Sequence, residues 1–235
     1  MFPPTRLSVV ERLTSADPGE RQIAWDALVV AYWRPVYKYL RARWRLSPDA
    51  AEDLTQDFFA RAFEKGFLES YDPSKARFRT WLRTCLDGVA GHAHEAAGRL
   101  KRGGGATTVP LDFTTAEGEV HEIALTADVD LDAWFQQEFV RALFARAVEA
   151  LRADYHARDR DDHLMLFDAY DLAEVRDAER PSYKALADAR GWAVHDVTNR
   201  LAATRRDFRA HVLRLLREAC ASDDEYEREA RALFG

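Results

Sequence analysis

Residues 182–209 read SYKALADARGWAVHDVTNRLAATRRDFR, and their chemistry is that of recognition rather than bond-making. Ala185, Leu186 and Ala189 are spaced to face inward from a first helix, and Gly191 sits where a tight turn is needed. Val197, Leu201, Phe208 and Val212 form the apolar stripe of a second helix. His195, Asp196, Thr198, Asn199 and Arg200 then face outward near its start, where a recognition helix meets base edges. Arg205, Arg206 and Arg209 follow, placed for phosphates. An arginine cluster alone is usually the solvated face of a helical hairpin. The small-residue pattern, the turn glycine and the polar start together favour DNA binding.

A second group, Tyr71, Lys75, Arg77, Arg79 and Arg83, lies between Ser70 and Arg83. Separating DNA strands requires cations along the freed strand and aromatic or shaped pockets for unstacked bases. Phe78 and Trp81, by their spacing to Leu82 and Cys85, favour core packing over base stacking. A third group, Glu52, Asp53, Gln56 and Asp57, makes an acidic helix edge opposite Leu54, Phe58 and Ala62. Such an edge orients a cationic partner or is simply solvated, and charge alone does not choose.

No glycine-rich phosphate loop, nucleophile elbow or His-Glu metal motif occurs, so no enzymatic activity is expected. His92 and His94, two residues apart, diverge on a helix and have no cysteine cluster beside them, so no metal or cofactor is expected either. Cys85 and Cys220 occupy apolar helical positions. Two cysteines so far apart fit a reducing cytoplasm. No apolar run long enough for a membrane span and no signal peptide are apparent.

Net charge is −6, which by itself does not point to nucleic acid, but its distribution does. Residues 75–102 hold 7 basic and 2 acidic residues, and 195–217 hold 6 arginines and 2 acids. Between them, residues 111–138 hold 8 acids and no Lys or Arg.

The elements that must position these groups are helices. Trp25, Leu28, Val29, Tyr32, Trp33, Val36 and Leu40 form an amphipathic stripe, in which Pro35 should kink or break the helix. Ser47-Pro48-Asp49 is a helix start, and the helix runs to a stop at Gly66. Phe78, Leu82, Cys85 and Val89 share a face of the next. Gly103-Gly104-Gly105 closes a first unit, residues 106–131 read as an acidic linker, and Trp134, Phe135, Phe139, Leu143, Val148 and Leu151 open a second helical unit. The expected fold is all-α: a helical domain over 1–105, the linker 106–131, a helix-turn-helix domain over 132–220, and an acidic tail over 221–235. The tail has three open readings: docking on the second domain to mask its arginines, binding a regulator, or fraying.

The segment 182–209 resembles region four of sigma factors, which binds the −35 promoter element. AAEDLTQDFFARAF (50–63) resembles region 2.2, which docks on the β′ clamp helices of RNA polymerase, and YDPSKARFRTWL (71–82) resembles region 2.3, which engages and opens the −10 element. RLKRGGG (99–105) and the tail SDDEYEREARALF (222–234) are similar to one branch of the extracytoplasmic-function (ECF) factors. The resemblance covers nearly the whole chain in order, and AEDLTQDFF is its most specific piece. It implies a sigma factor of the sigma-70 family that binds core RNA polymerase, at the β′ clamp helices and the β flap, and promoter DNA. It also implies a possible anti-sigma or other regulatory protein, and a cytoplasmic, nucleoid-associated location. Glu52, Asp53, Gln56 and Asp57 would dock on polymerase, the loop from Ser70 to Arg77 would hold a non-template base, and the acidic linker would thread the polymerase cleft. The run 87–95, DGVAGHAHE, departs from the family, where an Asn near position 88 and several polar or basic DNA contacts are usual. Asp87 and Glu95 would repel phosphates, and Gly88 and Gly91 each cost about 1 kcal/mol of helix stability relative to Ala. Promoter choice should then lean on the −35 contacts, the loop or an accessory partner. Two other readings remain: a stand-alone dimeric helix-turn-helix repressor, and a sigma-like adaptor that binds polymerase or a regulator without efficient promoter melting.

Overall fold

The computed structural model describes residues 12–13, 15–64, 70–72, 74–96, 110–120, 129–173 and 180–235. Among these residues the regular structure is all helical, without a strand. The helices are α1 (Pro18–Arg43), α2 (Pro48–Glu64), α3 (Phe78–Ala96), α4 (Phe113–Gly118), α5 (Leu131–His156), α6 (Asp161–Phe167), α7 (Tyr183–Asp188), α8 (Val194–Ala219) and α9 (Asp223–Phe234). A single π-helical turn, Asp168–Leu172, continues α6. The stops expected at Gly66 and Gly103–Gly105, and the RLKRGGG segment, lie outside the described residues.

The chain packs as two units, one of residues 1–143 with 216–235 and the other of residues 144–215. These limits differ from the sequence-based domains: the described residues 110–120 and 129–143, with the tail, fall in the first unit.

In the first unit, Asp17 caps α1 by accepting a hydrogen bond from the Gly19 amide at 2.9 Å, with Pro18 leading the first turn. The whole predicted stripe from Trp25 to Leu40 is buried. No break falls at Pro35: α1 continues through it, and its ring is itself buried in the helix face. Ser47 caps α2, its hydroxyl accepting from the Ala50 amide at 3.3 Å. Leu54, Phe58, Phe59 and Ala62 then point into the core. On α3 the buried line is Phe78, Leu82, Leu86 and Ala90, while Cys85 and Val89 are half-buried at its side. Tyr32 joins the layers, edge-on to Phe78 at 5.5 Å and stacked on Phe139 of α5 at 5.1 Å. Each fully buried aromatic ring of this kind contributes about 1.5–3 kcal/mol by leaving water.

The second unit has two apolar clusters. Leu151, Tyr155, Leu164 and Phe167 pack with Phe208. Leu166, Ala187, Val197 and Leu201 pack with Tyr170, Tyr183, Leu186 and Trp192. On α7 the inward residue is Ala187, with Leu186 beside it, while Ala185 and Ala189 are exposed. The inward register predicted for α7 is corrected accordingly: a six-residue helix offers one turn to its partner, and Leu186-Ala187 fills it.

Candidate nucleic-acid interface

Helices α7 and α8 follow one another across a short turn at Gly191. Ser182 caps α7, its hydroxyl accepting from the Ala185 amide at 3.1 Å. Gly191 has φ +65°, the left-handed conformation that glycine adopts at little cost. Asp196 accepts from the Ala193 amide at 3.3 Å and so pins the start of α8. His195, Thr198, Asn199, Arg206 and Arg209 are exposed on this helix. Arg200 is half-exposed, its guanidinium 4.4 Å from the centre of the Trp192 ring.

Arg205 is placed differently from its neighbours. Its Nε lies 3.0 Å and its Nη2 2.8 Å from the two carboxylate oxygens of Asp171, and Nη1 donates to the Tyr183 hydroxyl at 3.3 Å. Its guanidinium also lies over the Tyr170 ring at 5.4 Å. The Asp171 carboxylate, through these hydrogen bonds, raises the Arg205 pKa further. A fork bound on both prongs is the strong form of this interaction. Arg205 ties the π-helical turn and the first residue of α7 to α8, whereas Arg206, 75 % exposed, pairs with its neighbour Asp207 at 3.2 Å. Sequence reasoning missed Tyr170, Asp171, Tyr183 and Trp192. No local spacing signals them, because they meet α8 only through the fold.

In the first unit, the loop before α3 is organised by Asp72. Its carboxylate accepts from the Ser74 amide at 3.0 Å and the Ser74 hydroxyl at 2.6 Å, and pairs with Lys75 at 3.3 Å. Lys75 and Arg77 are exposed. Tyr71 is half-buried against Phe78 and Trp81, and its hydroxyl donates to the Ala76 carbonyl at 3.2 Å. Burial pushes the Tyr71 phenol up to about 12. Phe78 is fully buried and Trp81 half-buried, which puts Phe78 in the core.

Arg79 and Arg83 are turned inward, not presented. Arg79 is 5 % exposed. It pairs with Glu229 of α9 at 3.0 Å, donates to Gln136 at 2.9 Å and lies 3.8 Å over the Phe139 ring. Arg83 bonds Asp132 at 2.6 Å and Asp87 at 2.8 Å. Asp87, read from sequence as a charge facing phosphates, is a structural acceptor. It also takes the Tyr39 hydroxyl at 2.9 Å and the Trp44 indole N–H at 3.1 Å.

The acidic segment likewise docks where it is described. Phe113 of α4 sits edge-on to Trp33 and Tyr37, 5.2 and 5.1 Å between ring centres. Glu117 takes hydrogen bonds from Arg41 and, at 2.6 Å, from the Tyr37 hydroxyl. Glu119 pairs with Lys38 and with Arg34. Lys38 also meets the fully buried Glu138 at 2.9 Å. The solvated tether expected over 106–131 therefore gives way, within the described residues 110–120, to a packed segment carrying the short helix α4. The missed signal is on α1: Arg34, Lys38 and Arg41, at i, i+4 and i+7, form a cationic stripe that attracts these acids.

On α2, Asp53 is exposed while Glu52, Gln56 and Asp57 are half-buried. The Gln56 amide donates to Glu52 at 3.3 Å, and Arg61 holds Asp57 at 2.7 Å. The edge is a rigid, partly neutralised acidic strip.

Residues 28–99 match the family model of Sigma-70 region 2. The span contains most of α1 with α2 and α3, and so both the acidic edge and the segment from Tyr71 to Arg83. The match supports a sigma factor of the sigma-70 family, with a role in transcription initiation and binding to core RNA polymerase. No curated protein and no solved structure matches the chain. No helix among the described residues is long and apolar enough to cross a membrane.

Proposed function

We propose that this protein is an ECF-type sigma factor that binds core RNA polymerase and directs it to specific promoters. The observation that carries the reading is order: a segment matching Sigma-70 region 2 at 28–99 is followed in the same chain by α7 and α8, two helices joined by a short turn at Gly191, which we read as a helix-turn-helix. In this reading Glu52, Asp53, Gln56 and Asp57 dock on the β′ clamp helices, and the second unit meets the β flap. His195, Thr198, Asn199 and Arg200 read base edges of the −35 element while Arg206 and Arg209 take its phosphates. Tyr71, Lys75 and Arg77 form the loop that meets the displaced strand near −10. Arg205 supports the helix-turn-helix from behind, and Arg83 supports α3. The chain performs no bond chemistry; the polymerase does. An anti-sigma or other regulatory protein in the cytoplasm is a further partner of this reading.

The adaptor reading is favoured by one observation, that Arg79 and Arg83 are held by acids of the same chain. Run-off transcription with bacterial core polymerase, on the DNA upstream of the protein's own gene, separates the two. Specific transcripts that require the protein establish the sigma factor. Stable co-migration with core polymerase without a transcript supports the adaptor, and neither result overturns both.

A further inference from the structure

The C-terminal helix α9 buries acids where an amphipathic helix normally buries apolar residues. Glu225 and Glu229, one turn apart, are 2 % and 6 % exposed, whereas Tyr226, Ala230, Leu233 and Phe234 are only half-buried. Glu225 closes the start of its own helix, accepting from the Ala221 amide at 2.8 Å while its own amide donates to the Ser222 hydroxyl at 3.1 Å. Glu229 accepts from Gln136 at 2.8 Å and pairs with Arg79. Arg79 opens α3, two residues after the exposed Arg77, and both line a cleft with Thr80, Asp130, Asp132 and Gln136.

The seat is incompletely satisfied. Arg79 Nε and Nη2 and Glu225 Oε1 are buried without a hydrogen-bond partner of normal geometry among the described residues. Each such atom costs docking free energy that a solvated arrangement does not. A helix held by a buried charge pair with three unmatched polar atoms is a contact that can be exchanged for another anion. The chemistry of Arg79 and Gln136 suits a phosphodiester as well as it suits the Glu229 carboxylate.

We infer that α9 is an autoinhibitory cover whose Glu229 carboxylate occupies the place of a nucleic-acid phosphate on Arg79, and that α9 must lift for Arg79 to join Arg77 on the displaced DNA strand. The inference rests on the sigma-factor reading and extends it to how the −10 face is kept closed in the free protein.

The test uses the full chain carrying Glu229→Lys, which turns the buried attraction into repulsion. Glu227→Lys, on the exposed face of α9, makes the same change of charge away from Arg79. Release of α9 is read by alkylation of Cys220, which is buried in the short connection from α8 to α9. Strand binding is read by fluorescence anisotropy on a labelled promoter fork with an unpaired non-template strand. The expected result is Cys220 labelling at least tenfold faster in E229K than in E227K, and fork binding at least fivefold tighter. Adding Arg79→Ala to E229K should abolish the gain. Unchanged Cys220 labelling in E229K, or global unfolding of that variant, identifies α9 as a fixed part of the core and overturns the inference. Faster labelling with no gain in fork affinity, or a gain that survives Arg79→Ala, also overturns it. Because the labelling arm needs neither DNA nor polymerase, failure of the cover is distinguishable from failure of the sigma-factor reading, which shows as loss of transcription by the native protein.

Discussion

Arg205 and Arg206 are adjacent in sequence, and the structure gives them different work that a salt titration can separate. Arg206 is 75 % exposed on α8. If α8 meets DNA phosphates as proposed, replacing it with Ala removes one cation from that face, so the slope of log Kobs against log salt should flatten by about 0.9. Between 50 and 200 mM salt the deficit of the Arg206→Ala variant should then shrink by about 3.5-fold relative to the native protein. Arg205 is engaged by both oxygens of Asp171 and by Tyr183, at a side chain 40 % exposed. After discounting for solvent screening, that fork contributes about 1 kcal/mol to holding α7 against α8, so its loss lowers affinity by about fivefold. Because no phosphate contact is removed, the slope should stay within about 0.3 of the native value. Arg205→Lys should fail to rescue, since a point charge cannot bridge both oxygens, and Asp171→Asn should reproduce the loss. Adding Asp171→Asn to Arg205→Ala should cost nothing further. The assay is anisotropy on promoter duplex across a salt series. A slope that falls by about 0.9 for Arg205→Ala, as for Arg206→Ala, would refute the positioning role.

Three further outcomes follow from the packing. Gly88 is exposed in the middle of α3 with open space where a Cβ would sit, so Gly88→Ala should add about 1 kcal/mol to stability in urea; a loss would mean that α3 is not helical there. Glu138→Leu leaves Lys38 buried with only the outer Glu119 to meet it and should cost about 3 kcal/mol, while pairing it with Lys38→Met should recover most of that; equal single and double losses would contradict the buried pair. Burial pushes the Cys220 thiol up to about 12 and the Cys85 thiol up to about 11, so both hold at least about 100-fold less thiolate near pH 8 than in the unfolded chain. Alkylation should be slow in the folded protein and accelerate as pH rises toward those values, with Cys85 leading; fast labelling of native protein at pH 8 would show the seat of Cys220 to be open.

The sequence by itself marked most of the helices and the faces they bury. The stripe of α1, the Ser47 cap, the turn at Gly191 and the exposed His195, Thr198, Asn199, Arg206 and Arg209 are local signals, set by a 3.6-residue period and by side chains that bond their own backbone. The acidic edge of α2 was legible for the same reason. Only the tertiary structure decided which charges remain available. Arg79, Arg83 and Arg205 look no different in sequence from Arg77 and Arg206. They are withdrawn by Glu229, Asp132 and Asp171, which lie 150, 49 and 34 residues away along the chain. The docking of 110–120 and of α9 on the first unit has the same origin: acids and cations distant in sequence pair once an aromatic core has brought their helices together. Periodicity reports which face of a helix turns inward, and it is silent about which other segment arrives there to meet it.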